Sequence, residues 1–312
     1  MKHELSVTVV LIIFFLVAQI VGLSLINIDI RDVQVVDGKV TLVHSETSLG
    51  PRPEMSGLGT FLYIAIGLLI GTILILLIIR MKKVNLWKAW FFLAVFMAIS
   101  LSLGVFLKPV LAFVIALALA IFKIYKPNVF VHNLTEVLMY AGIAVFLVPL
   151  LNVFWASMLL IAISIYDFIA VFKSKHMVKM AKFQTQSKVF AGLFVPYKTK
   201  AEPMPAPAIE KKKASRTSSA KELPIPKPEK KNAILGGGDI AFPLLFSGAA
   251  MESLVIKGLP LATALLQTMI ITATTTIAVA LLFIFAKKDK FYPAMPIISA
   301  GCFVGYGILL LL

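Results

Sequence analysis

Cysteine is almost missing from this 312-residue chain: Cys302 stands alone, inside an apolar run. No disulfide can close within the chain, and no four-cysteine metal site can be built. Histidine is nearly as scarce. His3, His44, His132 and His176 form no His-Glu-x-x-His pair of the kind that holds zinc on a helix, and none falls inside an apolar run to serve as a base for a serine nucleophile. Ser247-Gly248 follows Leu245-Phe246, so the Gly-x-Ser-Gly context of an intramembrane serine nucleophile is missing too. Charge is sparse at 14% of residues, and acids number 15 against 30 bases. The bases sit beside apolar runs and in one loop, so the net charge of +15 does not point to nucleic acid. The first apolar run has no A-x-A-like cleavage site and is read as a retained span.

Apolar residues, at 60%, are what the chain has in abundance, and they come in runs of about twenty, the length that crosses a bilayer core as a helix. The reading is an all-α polytopic membrane protein of nine spans in the cell membrane, with the bilayer itself as a partner. The expected spans are Leu5 to Ile28, Leu58 to Ile79, Leu86 to Leu107, Val110 to Tyr125, Leu134 to Leu150, Val153 to Phe172, Ala233 to Ile256, Leu259 to Ala286 and Pro293 to Leu312. Counting bases in the short connections gives ten on one side (Lys2, Arg80, Lys82, Lys83, Lys88, Lys123, Lys126, Lys287, Lys288, Lys290) and five on the other (Arg31, Lys39, Arg52, Lys108, Lys257). That places the N-terminus in the cytoplasm and the C-terminus outside.

The chain thus divides into an N-terminal membrane part (1–172), a cytoplasmic segment (173–232) and a C-terminal membrane part (233–312). In the first outside loop, 29–56, Asp37-Gly38 between β-branched runs predicts a small hairpin. Lys175, Lys179 and Lys182, with Met177, Met180 and Ala181 between them, predict a basic amphipathic helix at the inner surface. From Pro196 to Asn232 prolines and lysines replace apolar residues, which predicts a disordered tether. Gly67/Gly71 and Gly301/Gly305 form G-x-x-x-G pairs, read as close packing within the molecule.

Two acids sit inside spans at matched depth. Asp167 lies six residues before Lys173, and Asp239 eight after Lys231. At about 1.5 Å per helical residue, both lie roughly 10 Å below the inner boundary. No lysine or arginine is counted at that depth. Two neighbouring carboxylates cannot both stay ionised cheaply, so the expectation is one shared proton. Such a pair suits general acid–base hydrolysis of a peptide bond. Gly236, Gly237 and Gly238 bare the backbone before Asp239, and Pro293 and Pro296 interrupt a helix near the same depth. Interrupted backbone inside a membrane is tolerated where it lines a wet cavity. The alternative is a proton- or cation-coupled transporter or channel using the same two acids, although no inverted repeat is visible. A scaffold without chemistry leaves the two acids unexplained.

Tyr166-Asp167, Gly236-Gly237-Gly238-Asp239 and Pro293-Ala294-Met295 together resemble the Y-D, G-x-G-D and P-A-L motifs of the presenilin and signal peptide peptidase family, in that order and across all nine spans; the likeness is to archaeal members. Met295 departs from the family's leucine, a mild exchange in volume. The resemblance implies a presenilin-like fold and an intramembrane aspartyl endopeptidase with Asp167 and Asp239 as the catalytic pair. It also implies that Pro293, Ala294 and Met295 shape the substrate site beside Tyr166, and that substrates are transmembrane helices, signal peptides or single-span proteins. No metal and no cofactor is implied. Gly236 to Gly238 are read either as backbone offered to an unwound substrate strand or as close helix packing.

Overall fold

The computed structural model describes residues 5–36, 38–55, 57–173, 180, 183–184, 187, 189–198, 230–286 and 292–312. The amphipathic helix expected around Lys175 to Lys182 falls on residues outside these, apart from Met180, as do 199–229 of the expected tether. Among the described residues there are nine α-helices: α1 (Leu5–Asp29), α2 (Leu58–Met81), α3 (Val84–Gly104), α4 (Pro109–Tyr125), α5 (Val129–Leu147), α6 (Val153–Phe168), α7 (Gly238–Ile256), α8 (Leu261–Phe285) and α9 (Met295–Leu309). Seven helical segments are long and apolar enough to cross a membrane; α4 and α9 are shorter apolar helices.

Helix ends fall where local chemistry puts them. Pro109 occupies the first turn of α4, where its missing N–H costs nothing. The side chains of Asn128 and Asn152 cap α5 and α6 by accepting from the amides of Phe130 and Trp155. The last turn of α6 widens into a π-helical turn, Ile169–Lys173, just after Asp167. One core joins α1, α5, α6, α7, α8 and α9 around fully buried Phe15, Leu23, Leu160, Leu244, Phe246 and Ile271. A second, around Trp87, Phe91, Ile99 and Ala116, holds α3 and α4 to α5. α2 stands apart. Its packing neighbours are α6 and α3, and only Thr60 and Ile78 of its residues are buried.

Two antiparallel hairpins decorate the bundle. The first pairs β1 (Ile30–Val36) with β2 (Lys39–His44), Val36 opposite Lys39, and Gly38 takes φ 74° in the turn. It is the hairpin that Asp-Gly predicts. The second corrects the sequence expectation. β3 (Gly192–Lys198) pairs with β4 (Lys230–Gly236) from Gly192↔Gly236 to Lys198↔Lys230. Pro196 to Lys198 and Lys230 to Asn232 are therefore strand, not tether, and the span expected from Ala233 starts as a helix only at Gly238. Ala233 and Leu235 are buried on β4, which explains why an apolar helix start and an apolar strand look alike there.

The glycine pairs separate. A Cβ on Gly305 would meet Thr274 Oγ1 at 2.3 Å, and one on Gly301 would meet Ala278 at 2.7 Å, so that pair lets α9 close onto α8. Gly67 has nothing within 4 Å, and Gly71 only a Trp90 ring atom at 4.0 Å. The packing role expected of Gly67 and Gly71 is not what this structure contains.

Candidate active site

β4 ends at Gly236 and α7 begins at Gly238, so Asp239 falls in the first turn of a helix that leaves a strand with one residue between. Asp167 sits in the last turn of α6, two residues before its π-helical end. Both acids face one cavity of about 690 Å³. Its walls come from α2, α5, α6 and α7, with Gly236 and Ile234 of β4 along one edge. Tyr166, Gly237, Gly238 and Met295 also line it. The wall is overwhelmingly apolar, so water entering it would gather near the few polar groups.

Each carboxyl is held by backbone. Asp167 is 3% exposed and accepts from the amide of Met295 at 3.1 Å and from that of Ala294. Those amides are available because α9 starts at Met295, and the first N–H groups of a helix have no partner inside it. Asp239 is half-buried and accepts from the Gly236 amide, and the two carboxyls are close enough to interact electrostatically. A Cβ on Gly236 would lie 3.1 Å from Asp239 Oδ2, so the turn folds directly under the carboxyl. Pro243 lies inside α7 and has no N–H to give the carbonyl four residues back. The Asp239 carbonyl therefore has no amide four residues on to bond.

The cavity gathers every expected site residue except two. Pro293 and Ala294 are not on its wall: Ala294 reaches the site through its amide alone, and Pro293 precedes it in non-helical backbone. Tyr166 hydrogen-bonds Thr72 of α2 at 3.0 Å, hydroxyl to hydroxyl, tying α2 to α6 next to Asp167.

Other polar groups at the site escaped sequence reasoning. Gln19 of α1 is buried, and its amide nitrogen donates to the Ile240 carbonyl at 2.9 Å, one residue from Asp239. Lys123, counted above among loop bases, is 4% exposed and reaches Glu136 Oε1 at 2.5 Å. Glu136 lies in the expected fifth span. It is the one further acid in a span toward this end, and an acid inside an apolar run is the signal that marks it. Tyr140, one helical turn on, donates to Glu136 and lines the cavity.

A family model described as signal-peptide peptidase, presenilin aspartyl protease matches residues 30–312. Two solved structures of a presenilin family intramembrane aspartate protease share the fold. One, in a C222 crystal form, has 15% sequence identity and a TM-score of 0.59, covering 97% of this chain and 98% of that one. The other, in a P2 form, has 16% identity and a TM-score of 0.58, covering 96% of each chain. Comparison with curated proteins gives no match.

Proposed function

Because the chain belongs to the signal-peptide peptidase and presenilin aspartyl protease family, we propose that it cuts peptide bonds inside transmembrane helices with Asp167 and Asp239 as its acid–base pair. The observation that carries this reading is the meeting of α6 and α7 carboxyls at one apolar cavity, each held by a backbone amide.

In the proposed cycle the pair holds one proton. The ionised carboxylate takes a proton from a water molecule as its oxygen bonds to the scissile carbonyl carbon. The protonated partner donates to the carbonyl oxygen, giving a tetrahedral diol. The carboxyl that took the water proton gives it to the amide nitrogen as the C–N bond breaks, the other takes a proton back from a diol hydroxyl, and the pair again holds one proton. Protons balance, and neither a metal nor a covalent intermediate enters.

A substrate helix must unwind to expose a carbonyl to both acids. β4 ends at the cavity edge, and Gly236 to Gly238 carry no side chains to block an extended segment. Ala294 and Met295 act by presenting amides to Asp167, Met295 also lines the wall, and Pro293 fixes the non-helical backbone that leads into them. The protein is an integral membrane protein. The proposed setting is the cell membrane with a cytoplasmic N-terminus, and the two membrane parts are joined through the 173–232 segment.

The test is cleavage of a single-span model substrate by the reconstituted protein. Asp167→Asn and Asp239→Asn each abolish cutting inside the span while thermal unfolding stays that of the parent. Cutting that persists in either variant refutes the paired mechanism.

A further inference from the structure

Beneath the Gly236–Gly237 turn lies a polar column that the acid–base cycle does not use. Glu136 is fully buried on α5. Its carboxylate accepts from Lys123 Nζ at 2.5 Å, from the Gly192 amide at 2.9 Å and from the Tyr140 hydroxyl. Gly192 is the β3 residue paired with Gly236. The Tyr140 hydroxyl also packs against Gly237: a Cβ there would lie 2.7 Å from its oxygen and 3.0 Å from its ring. One carboxylate therefore supports the base of the second hairpin twice, through Gly192 on β3 and through Tyr140 under Gly237.

A buried ion pair is weak support for stability, because desolvation offsets most of its attraction. Inside a bilayer that cost is larger, and ionisable residues there mark function. Here the pair ends at the backbone that carries Asp239. The Asp239 carboxyl folds back onto the Gly236 amide, so a shift of that turn moves the carboxyl with it.

We propose that Tyr140, held by the Lys123–Glu136 pair, is a positioning residue: its hydroxyl fixes the Gly236–Gly237 turn and so aims Asp239 into the cavity. The inference rests on the two-aspartate reading above. Phenylalanine at 140 keeps the ring and loses the anchor. A neutral pair keeps its function if an oxygen still receives the hydroxyl.

The experiment uses the full chain in phosphatidylcholine vesicles with a single-span model substrate, and reads kcat and KM per folded enzyme. Tyr140→Phe lowers kcat about ten- to a hundredfold, the cost of misplacing a reacting group by a fraction of an ångström to one ångström, with KM unchanged. A merely structural role would lower the folded fraction and leave kcat per folded molecule as it was. K123M/E136L removes the acceptor and lowers kcat as Tyr140→Phe does. K123M/E136Q, which keeps an amide oxygen for the hydroxyl, restores kcat relative to it. Wild-type kcat in Tyr140→Phe, or equal kcat in the two double variants, overturns the proposal. Should Tyr140→Phe not fold, the two double variants decide alone. If Asp239→Asn cuts like the parent, the two-aspartate reading has failed. If Asp239→Asn is inactive and Tyr140→Phe is not impaired, only the positioning role has.

Discussion

Gly237 shows how one missing side chain can shape the candidate active site. The Tyr140 hydroxyl occupies the space its Cβ would take, at 2.7 Å. Gly237→Ala must push either the ring or the turn aside. The expected result is a loss of cutting on the order of a hundredfold with destabilisation of about 1–3 kcal/mol, measured by cleavage rate and thermal unfolding. Gly238→Ala, whose Cβ would meet only the Phe242 ring, at 3.4 and 3.7 Å, gives a smaller loss in the same assay. Three glycines in a row look equivalent in a sequence. What separates them is a tyrosine ninety-seven residues earlier (237 − 140), and no local pattern carries that information. The two acids were legible because an acid within an apolar run is conspicuous. Glu136 is less conspicuous, because it lies only two residues inside the span expected to start at Leu134. Lys123 reads as a loop base because bases beside apolar runs usually lie there.

At the scale of elements, the apolar runs located the helices to within a few residues, and the Asp-Gly turn located the first hairpin. The second hairpin was hidden because its strands are far apart in sequence, β3 at Gly192–Lys198 and β4 at Lys230–Gly236, and Pro196 argued against a strand. Helix packing offers a sharp contrast in otherwise identical motifs. Gly305→Ala drives a methyl into Thr274 and the Ile271 backbone, and is expected to cost about 1–3 kcal/mol by separating α8 from α9. Gly67→Ala, with open space around it, is expected to stay within about 0.5 kcal/mol of the parent. Thermal unfolding in a single detergent distinguishes them; equal losses would mean that α9 does not close on α8 as described.

On the scale of the whole molecule, the buried charged groups among the described residues gather at two levels. At the β4 end of α7 stand the acids and the Glu136 column. At its other end His44 of β2 meets Glu252 at 3.0 Å, and Arg52 bonds Asp29 at 2.6 Å and the Ser45 and Val145 carbonyls. The thirteen residues from Asp239 to Glu252 (252 − 239) span roughly 20 Å of helix. Arg52→Ala leaves Asp29, 2% exposed, without its cation. The expected outcome is destabilisation of about 3–5 kcal/mol, read by thermal unfolding, with kcat per folded molecule that of the parent. A fall in kcat would show that the two levels are coupled through α7.

α2 completes one wall of the cavity, yet only Thr60 and Ile78 of its residues are buried, and much of its apolar surface stays exposed. Whatever presses on its other side helps decide the shape of that wall, and in a bilayer this is acyl chain. The lipids around α2 then count as part of the proposed catalytic chamber. Changing their length or saturation is a way of altering the enzyme without altering its sequence.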